Sequence, residues 1–101
     1  MGEVVVVATL KVRNDRIDEA REACRRFGES TRAEGNEGIV YYRILAVEDD
    51  PTTIAFVEHY ASEESFDAHM GQPFIAEIGA ALGECLAEPP TVFRCQTIAS
   101  A

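Results

Sequence analysis

Residues 3 to 12, EVVVVATLKV, are apolar on both parities of an extended chain: Val4, Val6, Ala8 and Leu10 share one face, Val5 and Val7 the other. Alternation of that kind predicts a strand buried on both sides, so whatever sheet contains it must be covered twice. Few folds of this size offer two covers. With 101 residues the chain is read as a single domain over 1–101, burying roughly two-thirds of its unfolded surface.

The next segments supply one of those covers. After Asn14 and Asp15, which suit a helix cap, Ile17, Ala20, Ala23, Cys24 and Phe27 recur at helical spacing and predict an amphipathic helix. Gly35 and Gly38 flank a polar break, after which IVYYRILAV from Ile39 and TIAFVEHYA from Thr53 read as two strands. The turn signal Glu48-Asp49-Asp50-Pro51 between them favours an antiparallel hairpin. Ser62 is a natural N-cap for a short helix, Glu63 to Met70. Gly71 closes it, and Pro73 opens another helix whose apolar stripe runs to Leu86. Pro89-Pro90 stops that helix before a last strand, TVFRCQTIA, from Thr91.

The order strand, helix, strand, strand, helix pair, strand is the βαββαβ arrangement of the α+β class: a ferredoxin-like antiparallel sheet with its helices on one face. The other face then lies bare, and a second copy of the chain is the simplest cover, so a homodimer is expected.

Charge and cysteine usage exclude several partners. Nine Lys and Arg against 18 Asp and Glu leave a net charge of −9, which repels phosphate backbones and anionic lipid. Neither nucleic acid nor membrane is an expected partner. Cys24, Cys85 and Cys95 are odd in number and lack the close pairs of metal or redox motifs, which points to reduced thiols, a cytoplasmic setting and no metal site. The apolar start follows Glu3 without a basic leader and is too short to span a bilayer.

No phosphate-binding glycine loop, G-x-S-x-G or H-E-x-x-H occurs, so the search for chemistry narrows to a few side chains. His69 shares a helix face with Phe66 and is expected to look toward the sheet; the bland alternative is a histidine satisfied at the core edge. His59 lies on a strand face with Ala55 and Val57, a position that suits a subunit interface. Glu58 stands between Phe56 and Tyr60 on one strand face, where a carboxylate needs a partner. Arg43 or Arg94 is the structural option, and His69 or a substrate the functional one. Tyr41, Tyr42, Tyr60, Phe56, Phe66 and Phe74 are candidates for the walls of an aromatic pocket, with plain core packing as the alternative.

The opening VVVATLKV, the G-x-x-x-Y of Gly38 to Tyr42, the stretch DDPTTIAFVEHYASEESFDAHM, Pro73-Phe74 and the late AEPP together resemble the antibiotic biosynthesis monooxygenase domain family, the dimeric α/β barrels. The stretch from Asp49 to Met70 is the specific part. By that resemblance Glu58 and Tyr60 stand for the family's strand carboxylate and following aromatic, His69 for its helix histidine, and Tyr42 for its second-strand tyrosine. The chain departs from the family in having Tyr60 where many members carry Trp, and in lacking the second histidine of a P-H-F segment at Gln72-Pro73-Phe74.

The resemblance implies oxidation of a small aromatic quinol or phenol by O2 with no metal, flavin or other cofactor. His69 is then the base or hydrogen-bond acceptor, and Glu58 the group that orients it. Tyr42 and Tyr60 hold substrate oxygens against Phe56, Phe66 and Phe74. A non-catalytic binding module for a small aromatic ligand and an isomerase of a small sugar-like metabolite are the alternative readings.

Overall fold

The computed structural model describes residues 2–101. Its elements are β1 (Val4–Lys11), a 3-10 turn (Asn14–Arg16), α1 (Ile17–Ala33), β2 (Ile39–Val47), β3 (Asp50–Tyr60), α2 (Glu63–Met70), α3 (Pro73–Gly83) and β4 (Thr91–Cys95). The strands form one antiparallel sheet in the order β2-β3-β1-β4, with the helices on one face, as expected of the ferredoxin-like α+β arrangement.

The two-sided strand β1 occupies the centre. Val4, Val6, Ala8 and Leu10 are buried beneath the helices, whereas Val5 and Val7 point to the open face and are only partly buried. Strand β3 follows the same parity: Ile54, Phe56 and Tyr60 are buried under the helices, opposite Leu10, Ala8 and Val4 of β1. From α1, Ala20, Ala23, Cys24 and Phe27 complete the core, and the Phe27 ring packs edge-on against Phe56 and Phe74 with centroids 6.0 and 6.4 Å away.

Several boundaries differ from the sequence reading, each for a local reason. Asn14 and Asp15 do not cap α1; they form the 3-10 turn, and Arg16 precedes the helix without a side-chain cap. Strand β3 starts at Asp50 rather than Thr53. The Asp50 carboxylate accepts from Thr52 N (3.1 Å), the Thr52 and Thr53 hydroxyls (2.7 and 2.6 Å) and Lys11 Nζ (3.1 Å), which pins the hairpin into ladder geometry. The same hydroxyls, with Lys11, hold its pKa well below the carboxylate range. Helix α3 ends at Gly83 instead of running to Leu86, which leaves the helix to bridge Val12. Strand β4 stops at Cys95 because β1, its partner, has all but run out opposite it at Val5. Ser62 caps α2 as expected, its side chain accepting from Ser65 N at 3.1 Å.

The open face of the sheet carries Val5, Val7, Tyr41, Leu45, Val57 and Phe93 at successive register positions, with Phe93 54% and Tyr41 42% exposed. Among the described residues, no helix is long and apolar enough to cross a membrane.

The α1–β2 connection is tied to α2 by a compact polar cluster. Asn36 Nδ2 donates to the Ser65 carbonyl (2.9 Å), and Asn36 Oδ1 accepts from the Ser65 hydroxyl (2.8 Å) and from Gly38 N (3.1 Å). A Cβ at Gly38 would overlap the Oγ and Cβ of Ser65, so there is no room there for any other residue. Gly38→Ala is therefore expected to lower the unfolding free energy by about 1–3 kcal/mol, the range for overpacking. At Gly28, within α1, an added Cβ meets nothing within 4 Å. Gly28→Ala should instead stabilise by about 0.5–1 kcal/mol, by reducing backbone freedom in the unfolded chain. Urea denaturation of the two variants beside wild type checks both signs.

Candidate active site

Between the helix-facing side of the sheet and α2 and α3 lies a cavity of about 470 Å³. Val6, Ala8 and Leu10 of β1 and Phe56 of β3 form its floor. Phe66 and Met70 come from α2, and Leu82 with the segment after α3 closes the far side. Two charged side chains reach this otherwise apolar lining, Glu58 and Arg94. Parity explains both: Glu58 and Arg94 each stand opposite Val6, on the strands flanking β1, and so share its helix-facing side.

Glu58 does not pair with either arginine. Arg43 lies on the open-face parity of β2, with its guanidinium 5.5 Å from the Tyr41 ring centroid. Arg94 is taken by Glu63 at the start of α2 and sits 5.4 Å from the Phe66 ring centroid. The partner of Glu58 is its own strand neighbour Tyr60, whose hydroxyl donates to Oε1 in a short hydrogen bond. Burial pushes the Glu58 pKa above the ordinary carboxylate value, with the Tyr60 hydrogen bond and the nearby His69 acting in the opposite direction. Tyr60 is fully buried and Tyr42 partly so. Burial, and then the Glu58 charge, raise both phenols far above their usual range, so they remain hydroxyls and act as donors rather than bases. Glu58 is thus the one carboxylate that faces the cavity among its lining residues.

His69 looks toward the sheet as expected, but it does not reach the cavity and its partner is not Glu58. Its side chain is 1% exposed, boxed by the rings of Tyr42, Tyr60 and Phe74 at centroid distances of 5.3, 5.6 and 5.8 Å, and it is not part of the cavity lining. Nδ1 bonds Glu34 Oε1 at 2.6 Å, and the Glu34 side chain is 2% exposed. Glu58 therefore does not hold the imidazole. Helix α2 turns Nδ1 toward the end of α1, away from β3, and the carboxylate that meets it there is Glu34. An ionised carboxylate only accepts, so Nδ1 carries the hydrogen in this pair. Glu34 was missed in the sequence because it sits in a polar break. Its legible signal is an acidic residue at a helix C-terminus, where the macrodipole disfavours negative charge.

The remaining candidates divide. Phe56 and Phe66 line the cavity, whereas Phe74 packs on Phe27 and His69 behind it. Tyr42 pairs with Glu58 across the β2–β3 ladder, but it opens onto a separate groove between α1 and β2. His59 lies on the open face, 2.8 Å from Glu3. The three cysteines are free, and burial raises the Cys24 pKa to about 11, which leaves it a protonated, unreactive thiol. Among the described residues, no three or more His, Cys, Asp or Glu side chains converge in a way that could hold a metal ion.

The fold has counterparts among known proteins. The family model for antibiotic biosynthesis monooxygenase matches residues 3–80. A protein of Caulobacter crescentus CB15, provisionally assigned as an antibiotic biosynthesis monooxygenase, superposes with a TM-score of 0.87 at 24% identity, covering 97% of this chain and 92% of its own. A conserved protein of Methanosarcina mazei Go1 gives 0.85 at 25% identity over 95% and 93% of the two chains. Rv0793 of Mycobacterium tuberculosis gives 0.76 at 27% identity over 98% of each. Comparison with curated proteins finds no match. With most of its length under the family model and its fold shared throughout, the chain belongs to the antibiotic biosynthesis monooxygenase family.

Proposed function

We propose that this protein is a monooxygenase that oxidises a small aromatic quinol or phenol with O2, using no cofactor, and that Glu58 is the group that takes the substrate proton. The supporting observation is the single carboxylate of raised pKa set in an apolar cavity large enough for one or two rings. A neutral phenol reacts slowly with O2, whereas its anion gives up an electron readily, so the protein's task is to remove a proton where water is excluded. With Tyr60 donating to Oε1, Oε2 is the oxygen left for a substrate hydroxyl. The reaction then balances without an external reductant: a hydroquinone and O2 become a hydroxyquinone and water. One oxygen atom enters the ring, the other leaves as water, and the substrate supplies every electron.

In this reading His69 and Glu34 are positioning residues. Their buried pair holds the imidazole against Tyr60, and so holds the hydroxyl that Tyr60 presents to Glu58. A second copy of the chain covers the open sheet face, joining the apolar strips centred on Val7 and Phe93 into a shared interior. Sedimentation equilibrium at micromolar concentration should give about twice the chain mass, and Phe93→Asp should shift the population toward monomer, because each dimer would bury two unpaired carboxylates. A wild-type monomer removes the dimer.

Glu58→Gln keeps an acceptor for Tyr60 but cannot take a proton, so oxygen consumption with reduced quinones should fall by about a hundredfold or more. Its stability should move the other way. The folded state holds the Glu58 proton more tightly than the unfolded chain, whose value is 4.5, so wild-type stability declines as pH rises from there through the raised folded pKa. Glu58→Gln escapes that decline, and thermal melts from acid to neutral pH should show its advantage widening across that window. Unchanged turnover in a folded Glu58→Gln protein excludes Glu58 as the base.

His69→Ala strips a buried carboxylate of its partner and should destabilise by about 3–5 kcal/mol, with part of that loss recovered when Glu34→Gln is added. Turnover per folded dimer should fall less than in Glu58→Gln. The reverse order would make His69 the base.

A further inference from the structure

The groove between α1 and β2 lies apart from the cavity just described and shares no lining residue with it. Its volume is about 470 Å³, its floor is Tyr42, Ile44 and Ile54, and its α1 wall carries Arg21, Arg25 and Arg32. In a chain of nine basic and 18 acidic residues, three of the nine stand along one wall of this depression, with no carboxylate in its lining. Three of α1's arginines are there by helical spacing: Arg21, Arg25 and Arg32, with Gly28 between them, follow one stripe at i, i+4, i+7 and i+11. Like charges one turn apart repel, so an ordinary solvated helix gains nothing from the arrangement.

Two further observations point to a missing ligand. Among the described residues, Arg21 and Arg32 form no ion pair, although carboxylates outnumber basic groups two to one, while Arg25 is paired only with its helix neighbour Glu22. Arg21 Nε is buried with no hydrogen-bond partner. So is the hydroxyl of Thr31, a residue only 7% exposed, which lines a second lobe continuous with the groove through Gly28, Arg32 and Tyr42. A threonine hydroxyl inside a helix usually turns back to a carbonyl one turn earlier, and this one does not. The Tyr42 hydroxyl is near enough to feel it, but outside hydrogen-bonding geometry. Buried donors without partners are uncommon in folded proteins, and two beside one cavity imply an acceptor.

We propose that this groove binds a phosphate monoester with an apolar, ring-sized body. The unpaired guanidiniums of Arg21 and Arg32, with Arg25 between them, exceed what one carboxylate satisfies, whereas the three terminal oxygens of a phosphate accept from several at once. Tyr42, Ile44 and Ile54 take the body. Because the protein's overall field repels anions, the arginines select a ligand that reaches them closely rather than attracting anions at range.

Calorimetric titration of the wild-type chain with phenyl phosphate tests the site, with inorganic phosphate and benzoate as separate arms. Phenyl phosphate should bind once per chain and at least about tenfold more tightly than either of the others, the ratio corresponding to 1.4 kcal/mol. Arg21→Gln/Arg32→Gln should weaken it by about tenfold or more, the scale for losing charged partners. Gly28→Leu, which fills the groove without changing charge, should do the same, and circular dichroism confirms that each variant is folded. Glu58→Gln should leave the affinity unchanged. The proposal is overturned by no binding at about 10 mM phenyl phosphate, where less than 3 kcal/mol of affinity is available. It is equally overturned by binding that survives both groove variants, or by benzoate or inorganic phosphate binding as well as the ester.

Discussion

Strand β3 pairs with β1 so that Glu58 stands opposite Val6 and His59 opposite Val5. Because side chains alternate with a period of two, that register decides which of the two adjacent residues looks into the helix-covered layer. A slip of one position would send His59 inward and Glu58 to the open face, exchanging a carboxylate in an apolar cavity for an imidazole. Against a one-residue slip the register is held by bulk on the same strands: Tyr60, Phe56 and Ile54 are buried together with Val4, Ala8 and Leu10, and such a slip would turn them to the open face. The placement of a carboxylate in the cavity is thus a by-product of how the hydrophobic residues solve their own problem.

The helical layer supports that site from behind through polar contacts. Glu34, Asn36, Ser65 and His69 come from the end of α1, the following loop and α2, and together they fasten the one short helix that walls the cavity. Polar clusters of this kind are sensitive, since removing one member strands another in a low-dielectric setting. Here the cluster stands behind an aromatic box around His69, so small shifts in α2 would be felt at the Tyr60 hydroxyl and through it at Glu58.

Much of this was legible in the residues. The two-sided Val run of β1, the cap at Ser62 and the prolines at Pro73 and Pro89 are local signals, and local signals carry over into three dimensions because they depend on near neighbours alone. Glu58 stood out for a similar reason, a charge at an apolar parity. What could not be read was which side chains meet across the chain. The partner of His69 lies 35 positions away on another element, and nothing in either segment specifies that approach. The arginine stripe of α1 was present in the spacing, yet it became a groove only once β2 was laid beside it.

The segment that closes the far side of the main cavity is held in an unusual way. Leu86 bridges Val12, Ala87 N donates to the Lys11 carbonyl at 2.8 Å, and Arg13 N donates to the Cys85 carbonyl at 2.9 Å. Beyond these anchors come Pro89 and Pro90, which have no N–H to offer a ladder and whose rings restrict φ. The rim of the cavity is consequently shaped by covalent geometry more than by packing, and does not rely on what the cavity holds. Side chains on that rim, Leu86 and Val92 together with the half-exposed Met70 opposite, can change size without the backbone having to find a new path. A frame of this kind lets a few contacts at the doorway decide which guest molecule fits, while the carboxylate on β3 stays where the sheet register puts it.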